Sequence, residues 1–442
     1  MAISATSGVV SNIDYQTLIS QLVGIRRQSI TQLSEDKKTL EKTNSAYSNL
    51  NSKVDELKSA ADALRNMSAF KVFKTTVSDE TILGGTASST ASKGSYSIVV
   101  TNIAKAHKIA ADGFAAETST IAGAAGSFKF TVGAGAEQTV AVDATTTLAN
   151  LRDSINALGA GVTASIVNDG SATPYRLILT SGSTGASNGV TVTQNDTTVA
   201  FNTTLQAAQD ASFTVDTMSF TRASNTITDV ITGVTLDLKS GDAAKTVTLS
   251  VDRDSDKIAE KVTELLDKYN SAVSYIKANN RYDSETKVAG AFFGDTVARS
   301  VWDDLRKVMS GAVAGLPDTM NRLLHIGVTS STDGVYSLDS SKLKTALSSS
   351  FDDVVALFED GTTTDGFGAL MYNATFGITD TADGRIKGRQ DGLQDNIKKI
   401  DDDIRNKEYT LSLYEDQLRA QFMGLESMLA SLKTQSSFLS NL

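Results

Sequence analysis

Apolar residues recur at heptad spacing at both ends of this chain, and alternate with polar residues through its middle. From Leu33 onward, Leu33, Leu40, Tyr47, Leu50, Val54, Leu57, Ala61 and Leu64 fall on one stripe of a helix. The pattern predicts a helix from about Asp14 to Asn66. Before Tyr47 the intervening heptad positions are Ser29, Asp36 and Thr43, poor seam residues, so this part is expected to order only against a partner. At the other end, Leu393, Ile397, Ile400, Ile404, Leu411, Tyr414, Leu418, Leu425, Met428 and Leu432 occupy successive a and d positions, interrupted at Lys407 and Gln421. Sustained heptads with polar residues between them predict a coiled coil. Antiparallel pairing of the two ends removes both stripes from water at once, at roughly 25 cal/mol per Å².

Between these ends the pattern changes. From about Lys71 to Asp252, Ser, Thr, Ala, Gly and Val dominate, and short alternating runs predict strands: Tyr96–Val100, Ser127–Val132, Arg176–Thr180, Ser212–Val215 and Lys245–Val251. Turn residues such as Asn168-Asp169-Gly170 bound them. One short helix, Thr147 to Leu158, interrupts them with Leu148, Leu151 and Ile155 on one face. Helical patterns resume at Asp256, where Ile258, Val262, Leu265, Leu266, Tyr269, Val273 and Ile276 form a stripe. A helix over Thr296 to Ser310, a hairpin turning at Asp333-Gly334, and short helices over Lys342–Leu347 and Asp352–Phe358 follow.

The expected fold class is therefore α+β and multidomain, with long terminal helices pairing as an antiparallel coiled coil or helical bundle and β-rich domains inserted between them. The expected division is 1–70 as an N-terminal helical leg, 71–110 and 205–252 as two parts of a β-rich head, 111–204 as an inserted β-rich domain, 253–390 as a helical body, and 391–442 as the C-terminal coiled-coil helix. The Ala- and Gly-rich stretch 111–126 is the expected break between the β domains.

Composition narrows the function. A net charge of −10 argues against nucleic acid, which requires clustered Lys and Arg. The pairs Arg26-Arg27 and Lys37-Lys38 stand among acids and read as solvated helix faces. No apolar run approaches bilayer length, so no membrane insertion is expected. The N-terminus lacks the basic-then-apolar pattern of a secretory signal. There is no cysteine, which removes disulfides and thiolate chemistry. The only prolines are Pro174 and Pro317, so none breaks either terminal helix.

Catalytic and metal-binding patterns are nearly lacking. The two histidines, His107 and His325, flank strand-like runs with no nucleophile or His-Glu-x-x-His pattern beside them. Asp252 to Asp256 begins like a calcium loop, but the sixth and twelfth positions hold Lys257 and Thr263 instead of Gly and Glu, so the acids read as a helix start. Gly133-Ala134-Gly135, between two strand-like runs, reads as a hairpin turn rather than a nucleotide loop. No catalytic residue, cofactor or metal is expected.

Several strings within this architecture resemble the flagellar filament-cap family, also called hook-associated protein 2. They are Ser11-Asn12-Ile13-Asp14-Tyr15 with Leu18-Ile19 and Leu22-Val23; Gly94 to Val100 with Ile103-Ala104; Ala208 to Phe213 and Asn225 to Leu236; Gly327-Val328 with Asp333-Gly334, Leu338-Asp339 and Lys342-Leu343; and Arg419 to Phe422 with Leu425-Glu426 and Ser436 to Leu439. Leu148 to Ser181 resembles a small module of flagellar hook and filament proteins. The resemblance implies a ring-like homo-oligomer at the distal filament tip, exported through the flagellar secretion system without a cleaved signal. It implies a role in flagellin folding, polymerisation and retention, and partners in flagellin, hook-associated junction proteins and an export chaperone. The terminal helices would form legs whose seams assemble the cap. A flagellin-like or junction protein is the first alternative, told apart by copies per filament. A tip adhesin contacting host glycans through the Ser/Thr-rich strands is the second, and a hydrolase using a histidine the third.

Overall fold

The computed structural model describes residues 13–361 and 364–439, so Ser11 and Asn12 lie outside the described residues. The chain opens with one long helix, α1 (Tyr15–Leu64), whose start is capped by the Asp14 side chain accepting from the Thr17 amide. It then enters a β-rich stretch: β1 (Phe73–Val77), β2 (Leu83–Ala87), β3 (Gly94–Asn102), β4 (Ala106–Ala110), β5 (Gly126–Val132), β6 (Gln138–Val142), helix α2 (Leu148–Ala157), β7 (Val162–Asn168), β8 (Tyr175–Thr184), β9 (Val190–Asn195) and β10 (Thr203–Gln206). The stretch closes with β11 (Ala211–Val215), β12 (Met218–Arg222), β13 (Thr226–Ile231), β14 (Val234–Leu238) and β15 (Val247–Arg253). Helices return with α3 (Ser255–Asn279), a hairpin of β16 (Tyr282–Asp283) and β17 (Val288–Ala289), α4 (Thr296–Ser310), a hairpin of β18 (Val328–Ser330) and β19 (Tyr336–Leu338), α5 (Ser340–Ser349), α6 (Phe351–Phe358), α7 (Phe367–Thr379) and the terminal α8 (Arg385–Leu439).

These elements form two units. One combines both ends of the chain, 1–70 and 256–442, and the other is 71–255.

The β unit has two cores. Strands β1-β15-β3-β11-β12 form one antiparallel sheet and β13-β14-β2 another, and Ile98, Val100, Phe213, Leu236 and Leu249 lie buried between them. The period-two pattern is plain in β15, where Val247, Leu249 and Val251 are buried. Gly233 turns β13 into β14 at φ +74, and a Cβ there would lie 2.4 Å from the Ala91 nitrogen, so only glycine fits. The second core joins β10-β4-β8-β7, β6-β5-β9 and α2 around Phe128, Phe130, Leu148, Leu151, Ile155 and Leu177.

The stretch 111–126 is not the break expected between these cores. Ala111 and Ile121 are buried in the second core, and Phe114 pairs with Tyr175. The chain crosses between the cores at Lys105 and Gln209, whose backbones exchange hydrogen bonds of 2.8 and 3.1 Å. β4, expected in the head, thus belongs to the inserted module, because its ladder partners are β8 and β10.

In the helical unit, the C-terminal half of α1 buries Tyr47, Leu50, Val54, Leu57, Ala61 and Leu64 against α3, α4, α6 and α7. α7 has no counterpart among the sequence-based elements. Glycine and threonine lower its helix propensity, and its apolar residues do not gather on one face. Tertiary packing decides it: a Cβ on Gly368 would meet the Phe358 carbonyl at 2.7 Å, so α7 sits against α6 where only glycine allows.

Candidate assembly interface

Four contacts fix how the two chain ends meet. Tyr15 stacks on Phe422 with ring centroids 4.8 Å apart. The Arg26 guanidinium lies 3.9 Å from the Tyr414 ring centre. Lys37 Nζ donates to Asp401 Oδ1 at 2.6 Å, and Gln390 Nε2 donates to Ser48 Oγ at 2.9 Å. Each step forward along α1 is matched by a step back along α8, so the helices run antiparallel. Between these polar contacts lies an apolar seam in which Ile19, Val23, Ile30, Leu411 and Leu418 are buried and Ile404, Tyr414 and Phe422 are packed at their edge. Burial of aliphatic side chains of this size stabilises by roughly 1.5–3 kcal/mol each.

The seam is not the one expected for α1. Ser29 and Asp36, taken as weak seam positions, are exposed. One line of heptad positions runs the length of the helix through Ile19, Arg26, Leu33, Leu40, Tyr47, Val54 and Ala61. Its companion line changes. In the leg the companions are Val23, Ile30 and Lys37, four residues after each member, whereas in the body they are Leu50, Leu57 and Leu64, three residues after. The helix faces α8 alone along the leg and several helices in the body, so the buried stripe rotates near Thr43 and Asn44. Thr43 is buried, and the Asn44 side-chain oxygen is buried without a hydrogen-bond partner.

The expected seam residues therefore occupy different settings. Tyr47, Leu50, Val54, Leu57 and Leu64 lie in the body core, with Leu40 packed at its edge; Leu393 joins the same core. Leu411 and Leu418 lie in the leg seam, and Ile397, Ile400, Ile404 and Tyr414 are half-buried. Leu425, Met428 and Leu432 are 49%, 61% and 50% exposed, so nothing among the described residues covers them. Met423 and, on α1, Leu18, Leu22 and Ile25 are also exposed. These side chains are the candidate surface for association with other helices.

A polar cluster ties the leg to the body. Asp295 caps α4 by accepting from the Val297 and Ala298 amides at 2.9 and 3.2 Å. It accepts from the Tyr47 hydroxyl at 2.6 Å and from Arg389 Nε and Nη2 at 3.1 and 2.9 Å. Burial pushes the Asp295 carboxyl up, but the Tyr47 hydroxyl, the Ala298 amide and Arg389 outweigh it and hold the group below the usual carboxylate range. Burial, reinforced by the Asp295 charge, pushes the Tyr47 hydroxyl upward. Three segments distant in sequence, α1, α4 and α8, meet at this one carboxylate. The heptad pattern contained no sign of it, since none of the three residues is unusual in its own segment.

The residues weighed for chemistry have structural roles here. His107 Nδ1 accepts from the Val190 amide at 2.9 Å, and His325 Nδ1 from the Arg322 amide at 3.3 Å. Asp252 pairs with Lys93 at 3.1 Å, and Asp256 pairs with Lys344. Gly133 starts the turn between β5 and β6 with φ +54. Among the described residues no group of His, Cys, Asp or Glu is arranged to hold a metal ion, and no helix is long and apolar enough to cross a membrane.

Two long terminal helices that pair antiparallel, a β-rich unit inserted between them in sequence, and apolar surface left exposed on α8 define an α+β assembly protein rather than a protein with a small-molecule site. Residues 11–107 match the family model for the flagellar hook-associated protein 2 N-terminus and residues 208–434 that for its C-terminus. Residues 127–183 match the flagellin hook IN motif. The B-type flagellar hook-associated protein 2 of Pseudomonas aeruginosa is 28% identical, over 98% of this chain and 96% of the relative. Flagellar hook-associated protein 2 of Escherichia coli is also 28% identical, over 99% and 98%. The crystal structure of the flagellar cap protein D1-D2-D3 domains from Escherichia coli superposes with a TM-score of 0.63 at 28% identity, covering 79% of this chain and 99% of that one. The chain belongs to the flagellar hook-associated protein 2 family, a family of flagellar structural proteins.

Proposed function

We propose that this chain caps the distal end of the flagellar filament, where it retains flagellin and promotes its folding and insertion, and that it does so as a ring of identical copies rather than as an enzyme. The observation that carries this reading is the leg. Its two helices are stapled to each other as far as Phe422, and beyond that point Leu425, Met428 and Leu432 are left exposed on α8. A helix end with that surface suits reversible contact with other helices, as a structure that must hold on and yet yield to each incoming subunit requires. Flagellin and the hook-associated junction proteins are the partners in the flagellum, and an export chaperone covers the same apolar end before secretion through the flagellar channel. Leu411 and Leu418 on α8, with Ile19, Val23 and Ile30 on α1, close the leg, and the exposed Leu425, Met428 and Leu432 are the surface it offers for assembly.

The test is complementation of a flagellated strain lacking this gene. Wild-type chain restores long filaments and keeps flagellin out of the medium, with a handful of copies per filament at the tip. Thousands of copies along the filament would make it a filament or junction protein, and unchanged flagellin leakage would reject the cap.

A further inference from the structure

Two features of the helical unit have no part in the seam. The first is a projection. Residues 281–289, which form the β16–β17 hairpin, are all exposed. Only two residue pairs hold the ladder, too few for a free hairpin. Its base is nevertheless firm: Gly290 N bonds the Arg281 carbonyl and Phe292 N the Asn279 carbonyl, both at 2.9 Å, and buried Phe292 packs on Tyr47. This base holds apolar side chains out into water. Tyr282, Val288 and Phe293 are 50%, 53% and 56% exposed, with the two rings 5.7 Å apart.

The second feature is a groove of about 550 Å³ between the C-terminal half of α4 and α7. Val308, Phe367, Leu370 and Ala374 supply its apolar walls, and Lys307 and Arg385 stand at its rim. Arg385 is paired with Asp304, whereas Lys307 has no ion pair among the described residues. Glu285, on the turn of the projection, has none either.

The projection precedes the first turn of α4 and the groove flanks its last turns. A 15-residue helix separates such points by about 22 Å. With its base anchored, the projection does not reach the groove of its own chain.

We propose that the Tyr282, Val288 and Phe293 projection of one copy docks in the α4–α7 groove of the next, with Glu285 beside Lys307. The two surfaces differ and lie apart on one rigid helix, so the contact is head-to-tail and leaves a free projection and a free groove at the ends of every open chain of copies. Such contacts close into rings when the rotation permits. The aromatic rings bring roughly 150–250 Å² each, less than the ~800 Å² per partner of a stable pair. Single pairs are therefore short-lived, and closure, which adds the last contact within one particle, holds the ring. This deepens the self-assembly reading above and rests on it.

The test is sedimentation velocity of the full chain over a dilution series. Phe293→Asp and Val288→Asp disable the projection. Gly377→Trp and Asn373→Trp fill the groove from exposed positions, and a Cβ at Gly377 meets no atom within 4 Å. Each variant should melt as wild type does and need at least tenfold higher concentration to associate. Mixing a projection variant with a groove variant leaves one good projection and one good groove, and should yield dimers only at the concentrated end of the series, in rapid exchange with monomer, and nothing larger. Wild-type oligomers from either kind of variant, or a mixture without dimers, would overturn this interface while leaving self-assembly in place. A wild-type chain that stays monomeric throughout would remove both.

Discussion

The Tyr47 hydroxyl donates to Asp295 Oδ1 at 2.6 Å, across 248 residues of sequence, while Arg389 holds the other oxygen of the same carboxylate. This joint holds α1, α4 and α8 together at the base of the leg. Its stability depends on one ionised group. Tyr47→Phe should cost about 1.5–3 kcal/mol, the range for hydrogen bonds to charged partners. Asp295→Ala should cost about 2–4 kcal/mol, because it uncaps α4 and leaves the buried Tyr47 hydroxyl without its acceptor, while Arg389 keeps access to water. Urea denaturation measures both.

The same carboxylate makes a pH prediction. Its folded-state pKa is depressed below the ordinary value of 3.8. A depressed carboxyl contributes fully above the unfolded value and loses its contribution as pH falls through the folded one. Wild type should lose stability below about pH 4 more steeply than Asp295→Asn, which has no proton to take up at this site. Parallel acid titrations of the two would contradict the assignment.

The rotated stripe of α1 separates two neighbouring residues. Ile30→Ala should destabilise the leg by about 2 kcal/mol, at the low end for aliphatic truncation because the site is close to solvent. Ser29→Ala, on the exposed face, should change stability by less than about 0.5 kcal/mol. Hydrogen exchange over residues 15–45 reads both, and the reverse ranking would restore the heptad register first inferred from Leu33 and Leu40.

At the point of rotation, Asn44→Leu should stabilise the chain by about 1 kcal/mol. It removes a buried oxygen that lacks a donor and adds apolar surface. A loss of stability on denaturant unfolding would mean that the amide is satisfied in solution.

The two ends of the α8 stripe should behave oppositely. Leu418→Asp puts a charge into the buried seam, should cost a few kcal/mol, and should leave filaments short and flagellin in the medium. Replacing exposed Leu425, Met428 and Leu432 by Gln should leave the melting temperature of the isolated chain unchanged and still cause flagellin loss. Equal thermal destabilisation by both sets would show that the distal stripe is structural.

The α+β class and the antiparallel meeting of the chain ends were legible because each rests on local periodicity. Heptads in Leu393 to Leu418 mean a helix with one wet and one dry side, whatever surrounds it. The alternation in Val247 to Val251 likewise means a strand between core and solvent. Periodicity is silent where an element is surrounded. α7 carries apolar residues on every side and glycines at its contacts, and so lacks the one-sided pattern by which a helix is recognised. Periodicity is also ambiguous by one residue wherever only every seventh position is strongly apolar, so spacing alone does not separate a seam through Ser29 and Asp36 from one through Val23 and Ile30.

Residue order alone thus determined the long helices, the strands and the absence of a familiar catalytic pattern, since all three depend on neighbours in sequence. Only the tertiary structure decided which face of α1 turns toward α8, where the inserted module joins its neighbour at Lys105 and Gln209, and that Tyr47, Asp295 and Arg389 share a charge. Those are contacts between residues far apart along the chain. They depend on how packed elements rotate and cross, and that is settled by the shape of the whole core rather than by any segment of it.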